Sequence, residues 1–536
     1  MTLLRRSPRS RGLSFFFVLD AIGLPLNIIR ALRALYDSNI HYMRGKRGLF
    51  FTFVALAGVR QGCPLSSTIF VIVTDCICSA LVERLGPGGL LRMYADDIGI
   101  SYKDFFAHAA RIARTFEVIG RISCLNLNGK KCVIVPVGKL TIEFVAAWVR
   151  VNIPLWRNFK VSSCAKYLGF FIGPGAGSQD WDRILGKVGQ LSKFIRDLGL
   201  PKFFSLSLFQ MFGVSQVQFV AQLRIPPKNI DAVDVKIVRD LIGGPGLWAP
   251  CYLFRNLKEV GFPIEIVSLR VAARATLARV GLTTLKSHQS LADSLNNSGN
   301  RVSAFLCHPN KVWRETCAVL ELQNAVKDIT RSDFVFDCTE HRRIQHKLTC
   351  HFNKSAFPFD ELSFWERQFC EWFSNEDSIF FANRAIQITS FLKNKVPPCV
   401  IFTLIAAWSN GWATGRRFQN KHTRCCIHNG CDGEDSIEHY GVCIEPWIAF
   451  CSKTGIHVEH NFENFIVVGS GDSQTWVFLA CHLYAVKRAA DFGRRASSPC
   501  SSAAEVRNLI LGGYKVAASH SKGLASRYAA LWNGRA

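Results

Sequence analysis

The chain has 536 residues, 49% of them hydrophobic and 20% charged, a balance that can bury substantial cores and excludes disorder as the default state. Its 65 Lys and Arg against 40 Asp and Glu leave a net charge of +25, which favours a polyanionic partner such as nucleic acid or an anionic membrane. The 20 cysteines are spread along a long chain, so the expected compartment is nuclear or cytoplasmic with reduced thiols, and a disulfide-stapled secreted scaffold is excluded.

At the N-terminus Arg5, Arg6, Arg9 and Arg11 precede an apolar run in imitation of a signal peptide, but the run is short and is broken by Asp20. No stretch reaches the roughly 18 uninterrupted apolar residues that a bilayer span needs, so no membrane partner is expected. Residues 22–175 alternate helical and strand patterns. Within them Gly58-Val59-Arg60-Gln61-Gly62-Cys63-Pro64-Leu65-Ser66 reads as a glycine turn feeding a helix whose first position is Pro64. That helix runs through Ile69, Phe70, Ile72 and Val73 to Leu85 and stops at Gly86. A turn of this kind at a helix N-terminus either seats a phosphate or simply caps a core helix.

Next come two short strands, 90–94 and 98–102, with Ala95-Asp96-Asp97 at a tight turn between them. Side-by-side carboxylates repel unless a cation neutralises them, which suits the pair to Mg²⁺ or Mn²⁺. Aspartate is also common in turns, so the pair alone decides nothing. Further on, Asn128-Gly129 is a hairpin signal ahead of Val133-Ile134-Val135. The segment 166–173, Lys-Tyr-Leu-Gly-Phe-Phe-Ile-Gly, reads as one apolar strand. Composition changes at the glycine-rich 173–177, after which residues 180–400 read mostly as amphipathic helix. In 183–199, Ile184, Leu185, Val188, Leu191, Ile195 and Leu198 recur on one face, with Lys193 and Arg196 opposite.

Residues 425–443 concentrate cysteine and histidine. Cys426, Cys431, His439 and Cys443 have spacings compatible with a closed, structural Zn²⁺ site, with Cys425 or His428 as alternative first ligands. A helix start at Asp435-Ser436-Ile437-Glu438-His439 would place His439 and Cys443 four residues apart on one face.

The order Gln-Gly-Cys-Pro-Leu-Ser, Tyr-Ala-Asp-Asp, Leu-Asn-Leu-Asn-Gly-Lys-Lys and Lys-Tyr-Leu-Gly resembles the palm of LINE-type (non-LTR) retrotransposon reverse transcriptases. Four motifs in order carry far more weight than any one. The resemblance implies metal binding by Asp96 and Asp97, and contact of Gln61, Gly62 and Tyr94 with nucleotide and template. It also implies a catalytic Lys131 near the triphosphate and a primer grip at 166–173. The implied partners are an RNA template, a DNA primer or target, and deoxynucleoside triphosphates. Residues 425–443 are similar to the family's zinc knuckle.

The expected fold class is therefore α+β: an incomplete right-hand polymerase palm over 1–175, a helical thumb over 176–285 and a helical connector over 286–415. A zinc-knuckle-like segment at 416–450 and C-terminal helices over 451–536 follow. The palm is expected to be N-terminally truncated. The family also needs an aspartate on the preceding palm strand, and no acidic residue occurs before Asp20, which lies in a helix-like stretch. Removing a ligand shared by both ions leaves them poorly placed for in-line attack, so weak or absent polymerisation is expected. The competing expectation is a non-catalytic RNA- or DNA-binding protein that uses its basic surface and the knuckle.

Overall fold

Pro64 and Gly86 bracket a 22-residue helix, Pro64–Leu85. Proline occupies the first turn, where its missing N–H has no helical partner to lose, and Gly86 ends the helix at φ +70. Ile69, Ile77, Leu81 and Leu85 fall on its inner face and are buried. Ile69 joins Phe16, Leu19, Ile29, Leu32 and Tyr36 from helices Gly12–Ala21 and Leu26–Tyr36. Ile77, Leu81 and Leu85 join a second cluster with Ile98, Ile112, Phe116, Val145, Val149 and Trp156. Helices Phe105–Ser123 and Ile142–Asn152 supply most of the latter.

The computed structural model describes residues 3–5, 12–36, 39–46, 48–55, 63–86, 88–123, 125–246, 248–287, 344–416, 426, 431, 433–469, 471–495 and 503–519. The chain divides into two units, Met1–Asp180 and Trp181–Ala536. Helices and small sheets are mixed in the first, so the fold is α+β as expected. Among the described residues every sheet has two strands. Asn39–Gly45 pairs with Gly48–Ala55, Leu90–Tyr94 with Asp97–Ser101, Ala165–Tyr167 with Phe170–Ile172, and Leu3–Arg5 with Leu125–Leu127, all antiparallel. Val133–Ile134 runs parallel to Lys160–Val161.

That pairing corrects the hairpin reading of Asn128-Gly129. Lys131 and Cys132 both donate their backbone N–H to the Asn128 carbonyl, so 128–132 winds as one helical turn and sends its flanking strands to different partners. The membrane reading also changes. Pro64–Leu85 and Lys202–Ala221 are long and apolar enough to cross a bilayer by length and composition, because isolated polar residues such as Thr74 and Asp75 interrupt the apolar runs without lowering the average much. Each nevertheless turns a face inward, through Leu81 and Leu85 in one and Leu206, Phe209, Val217 and Val220 in the other.

The second unit is helical among its described residues. Its first helix, Gln179–Asp197, starts ahead of the expected 183. Ile184, Leu185, Val188 and Ile195 are buried, and Lys193 and Arg196 are exposed, as the periodicity predicts; Leu198 lies past the helix end and is exposed. One apolar core runs from Trp181 to Ala517 and contains the fully buried indoles of Trp365, Trp408 and Trp447. Inside it Arg255 donates to Asp234 at 2.5 Å and to the Ile266 carbonyl at 2.9 Å, while Asn353 donates to the Arg255 carbonyl. Burial pushes the Asp234 carboxyl up, and Arg255 opposes that shift. Losing one partner strands the other charge in the core. Asp234→Ala is expected to destabilise the chain by about 3–5 kcal/mol, and Asp234→Leu combined with Arg255→Met to recover most of that loss. Urea unfolding followed by circular dichroism checks both, and a loss below about 1 kcal/mol for Asp234→Ala would contradict the account.

Candidate functional site

Alternation along the strands fixes which way the polar residues of the carboxylate hairpin face. Leu91 pairs with Ile100 and Met93 with Ile98, and these four pack against the first unit's larger core, with Ile98 buried. Tyr94 pairs with Asp97 and Arg92 with Gly99, which puts these residues on the opposite face. A register slip of one residue would drive Asp97 into the core, so apolar packing specifies where the carboxylate stands. The turn itself is Ala95-Asp96, and Ala95 has φ +50. A residue with a Cβ held there stores about 1–2 kcal/mol of strain, a feature common at functional sites. Asp96 is exposed at the turn, Asp97 is half-buried as the first residue of its strand, and Tyr94 is exposed.

The segment expected as one strand at 166–173 is a second hairpin. Tyr167 pairs with Phe170 across a two-residue turn in which Leu168 has φ +47 and Gly169 φ +94, the left-handed pair of a type I′ turn. Asp180 accepts from the Phe171 N–H at 2.9 Å and ties the returning strand down.

These two hairpins meet. The Tyr167 hydroxyl donates to the Arg92 carbonyl at 3.2 Å, across 75 residues of sequence. Its ring lies against Gly99, where a Cβ would come within 3.1 Å of the ring. Burial first, and the Asp97 carboxylate second, push the Tyr167 phenol up. In the sequence the only mark of this contact is Gly99 interrupting an apolar strand, a pattern that signals close approach by another group.

The remaining residues of the expected site are less concentrated. Lys131 is exposed in the 128–132 turn, and among the described residues no hydrogen bond or ion pair joins its ammonium to Asp96 or Asp97. Gln61 and Gly62 lie outside the described residues. Two adjacent carboxylates on a rigid hairpin offer hard oxygen donors suited to Mg²⁺ or Mn²⁺, but they supply only part of a two-ion site.

The second cluster is more complete. The ligand atoms of Cys426, Cys431, His439 and Cys443 all lie within 4.8 Å of one another. Cys426 Sγ is 3.5 Å from Cys443 Sγ, and Cys431 Sγ is 3.2 Å from His439 Nε2. Tetrahedral Zn²⁺ needs ligand separations of roughly 3.5–3.8 Å; the two close pairs lie within a few tenths of an ångström of that, and the four ligand atoms together, within 4.8 Å, would have to draw in slightly around an ion. Burial holds His439 down towards its neutral, ligating form, and burial also pushes the Cys431 thiol up.

The supports are local. Ser436 accepts from the His439 N–H at 3.1 Å and caps helix Ile437–Val442. The Tyr440 hydroxyl donates to Asp435, whose other oxygen accepts from the Gly415 N–H. A Cβ at Gly433 would come within 1.8 Å of the His439 ring, which is a hard clash. The alternative ligands Cys425 and His428 lie outside the described residues.

No curated protein matches the chain. Residues 16–172, a stretch that contains helix Pro64–Leu85 and both hairpins and ends on the last residue of the second strand pair, match the family model described as reverse transcriptase (RNA-dependent DNA polymerase).

Proposed function

We propose that the chain is a LINE-type reverse transcriptase in which the palm lacks its first carboxylate, and that it is inactive or nearly so on its own. Asp96 and Asp97 would hold Mg²⁺ or Mn²⁺, and Gln61, Gly62 and Tyr94 would contact nucleotide and template. Bound there, the cation would lower the charge on the triphosphate and favour attack of a primer 3′-hydroxyl on the α-phosphorus with departure of pyrophosphate. Lys131 would neutralise charge on that leaving group. The partners are an RNA template, a DNA primer or target, and deoxynucleoside triphosphates, in a nuclear or cytoplasmic setting. The helices after residue 180 serve as thumb and connector, and the Cys₃His cluster holds a structural Zn²⁺.

The observation that carries this reading is the seating of Tyr167 on Gly99 and on the Arg92 carbonyl. It brings a primer-grip-like hairpin onto the strand that presents Asp97. The test is Mn²⁺ binding followed by electron paramagnetic resonance. Wild type is expected to hold a weakly bound ion that Asp96→Asn with Asp97→Asn weakens about tenfold or more. Equal binding by the two proteins would remove the polymerase reading.

A further inference from the structure

Strands Asn39–Gly45 and Gly48–Ala55 form a ribbon whose two faces are both apolar and both open. Ile40 pairs with Val54, Tyr42 with Phe51 and Arg44 with Leu49 on one face; His41 pairs with Phe53 and Met43 with Phe50 on the other. The register shift between His41 and Tyr42 leaves Thr52 as the extra residue of a bulge, which adds twist. Tyr42, Met43, Leu49, Phe50, Phe51 and Phe53 are each more than half exposed. Such a surface on a two-stranded ribbon, itself marginal in water, marks a binding site.

Charge and ring chemistry choose the occupant. Residues 39–55 include His41, Arg44, Lys46 and Arg47 and no Asp or Glu, so the partner is anionic. A second copy would set like charges against each other. Burial in lipid would leave the backbone groups along both ribbon edges without partners. An exposed aromatic pair beside cations fits a chain that alternates planar bases with phosphates. Helix Lys202–Ala221 gives the contrast. It exposes Phe204, Met211, Phe212 and Phe219, but no charged residue occurs from 203 to 223, so it offers phosphate nothing.

We propose that the ribbon is a platform for single-stranded nucleic acid, with bases stacked on Tyr42 and Phe51 and phosphates held by Arg44 and Lys46. This goes beyond the polymerase reading, and either can fail without the other, because Mn²⁺ binding at Asp96 and Asp97 does not involve the ribbon.

The test is fluorescence anisotropy of the full chain with labelled oligouridylate and oligothymidylate of about 20 nucleotides, long enough for one such site. Tyr42→Leu and Phe51→Leu keep apolar area at exposed positions and remove the stacking face. Each is expected to weaken binding of one or both oligonucleotides about fivefold or more. Arg44→Ala is expected to reduce the slope of log affinity against log salt by about 0.7. Unchanged circular dichroism confirms that the variants fold. Wild-type affinity in both leucine variants would overturn the proposal. So would a loss confined to binding of phosphatidylserine vesicles, which would make the ribbon a membrane contact.

Discussion

Primer extension by this chain on an RNA template is expected to stay at background with either Mg²⁺ or Mn²⁺. Two-ion nucleotidyl transfer needs a ligand shared by both cations, so that the attacking hydroxyl and the leaving oxygen are held in line. The hairpin supplies Asp96 and Asp97 alone. Residues 1–19 contain no carboxylate side chain, and Asp20 is exposed within helix Gly12–Ala21 instead of standing on a strand beside the hairpin. Losing the shared ligand is expected to remove roughly 4–6 kcal/mol of transition-state stabilisation, on the order of a thousandfold to ten-thousandfold in rate. The measurement is extension of a labelled primer, with Asp96→Asn as the control. Product made by wild type and lost in Asp96→Asn would overturn the expectation and show that another group completes the ion site.

The parts of the site legible in sequence are those whose local pattern agrees with the tertiary fold. Pro64 and Gly86 delimit their helix because each encodes a backbone conformation independently of packing. Apolar alternation on both sides of Ala95-Asp96 specifies the carboxylate hairpin and its facing. The meeting of the two hairpins was hidden for a physical reason. Leu168 is not a turn residue, so 166–173 reads as continuous strand; packing of Tyr167 and the Phe171–Asp180 hydrogen bond hold Leu168 at a positive φ that its side chain disfavours. Asn128-Gly129 errs the other way, because a residue pair suited to a hairpin turn is used inside a helical turn when the flanking strands find other partners. In the Cys₃His cluster, spacing points to Cys431, His439 and Cys443 but leaves the first position open among Cys425, Cys426 and His428, and it says nothing of the cluster's membership in the core of the second unit.

That membership makes metal removal the other large expected effect: stripping the Cys₃His site should lower the stability of the whole Trp181–Ala536 unit. Cys426, Ile437, Tyr440 and Cys443 belong to the same core as Trp408 and Trp447. Cys443 is also the N-cap of helix Ile444–Thr454, from which Trp447 reaches inward and donates to the Gly441 carbonyl at 2.7 Å. A metal held by four protein donors crosslinks the 426–431 segment to that helix pair, and free energy of metal binding to a site formed only on folding is folding free energy. Zinc-finger peptides gain about 10–16 kcal/mol in this way. A unit with its own large core should retain a fold without the metal, so a loss of several kcal/mol is the scale expected here. Purified protein should contain about one Zn²⁺ per chain. Chelation and Cys443→Ser should each lower the unfolding midpoint, while Cys76→Ser, at an exposed thiol of the first unit, should not. Gly433→Ala tests the geometry with all four ligand side chains retained, since its methyl group must displace the His439 ring. Because thiolates and a neutral imidazole bind the ion, the stabilisation should fade as pH falls. A protein free of zinc, with a midpoint indifferent to chelator and to Cys443→Ser, would reduce the cluster to packed thiols.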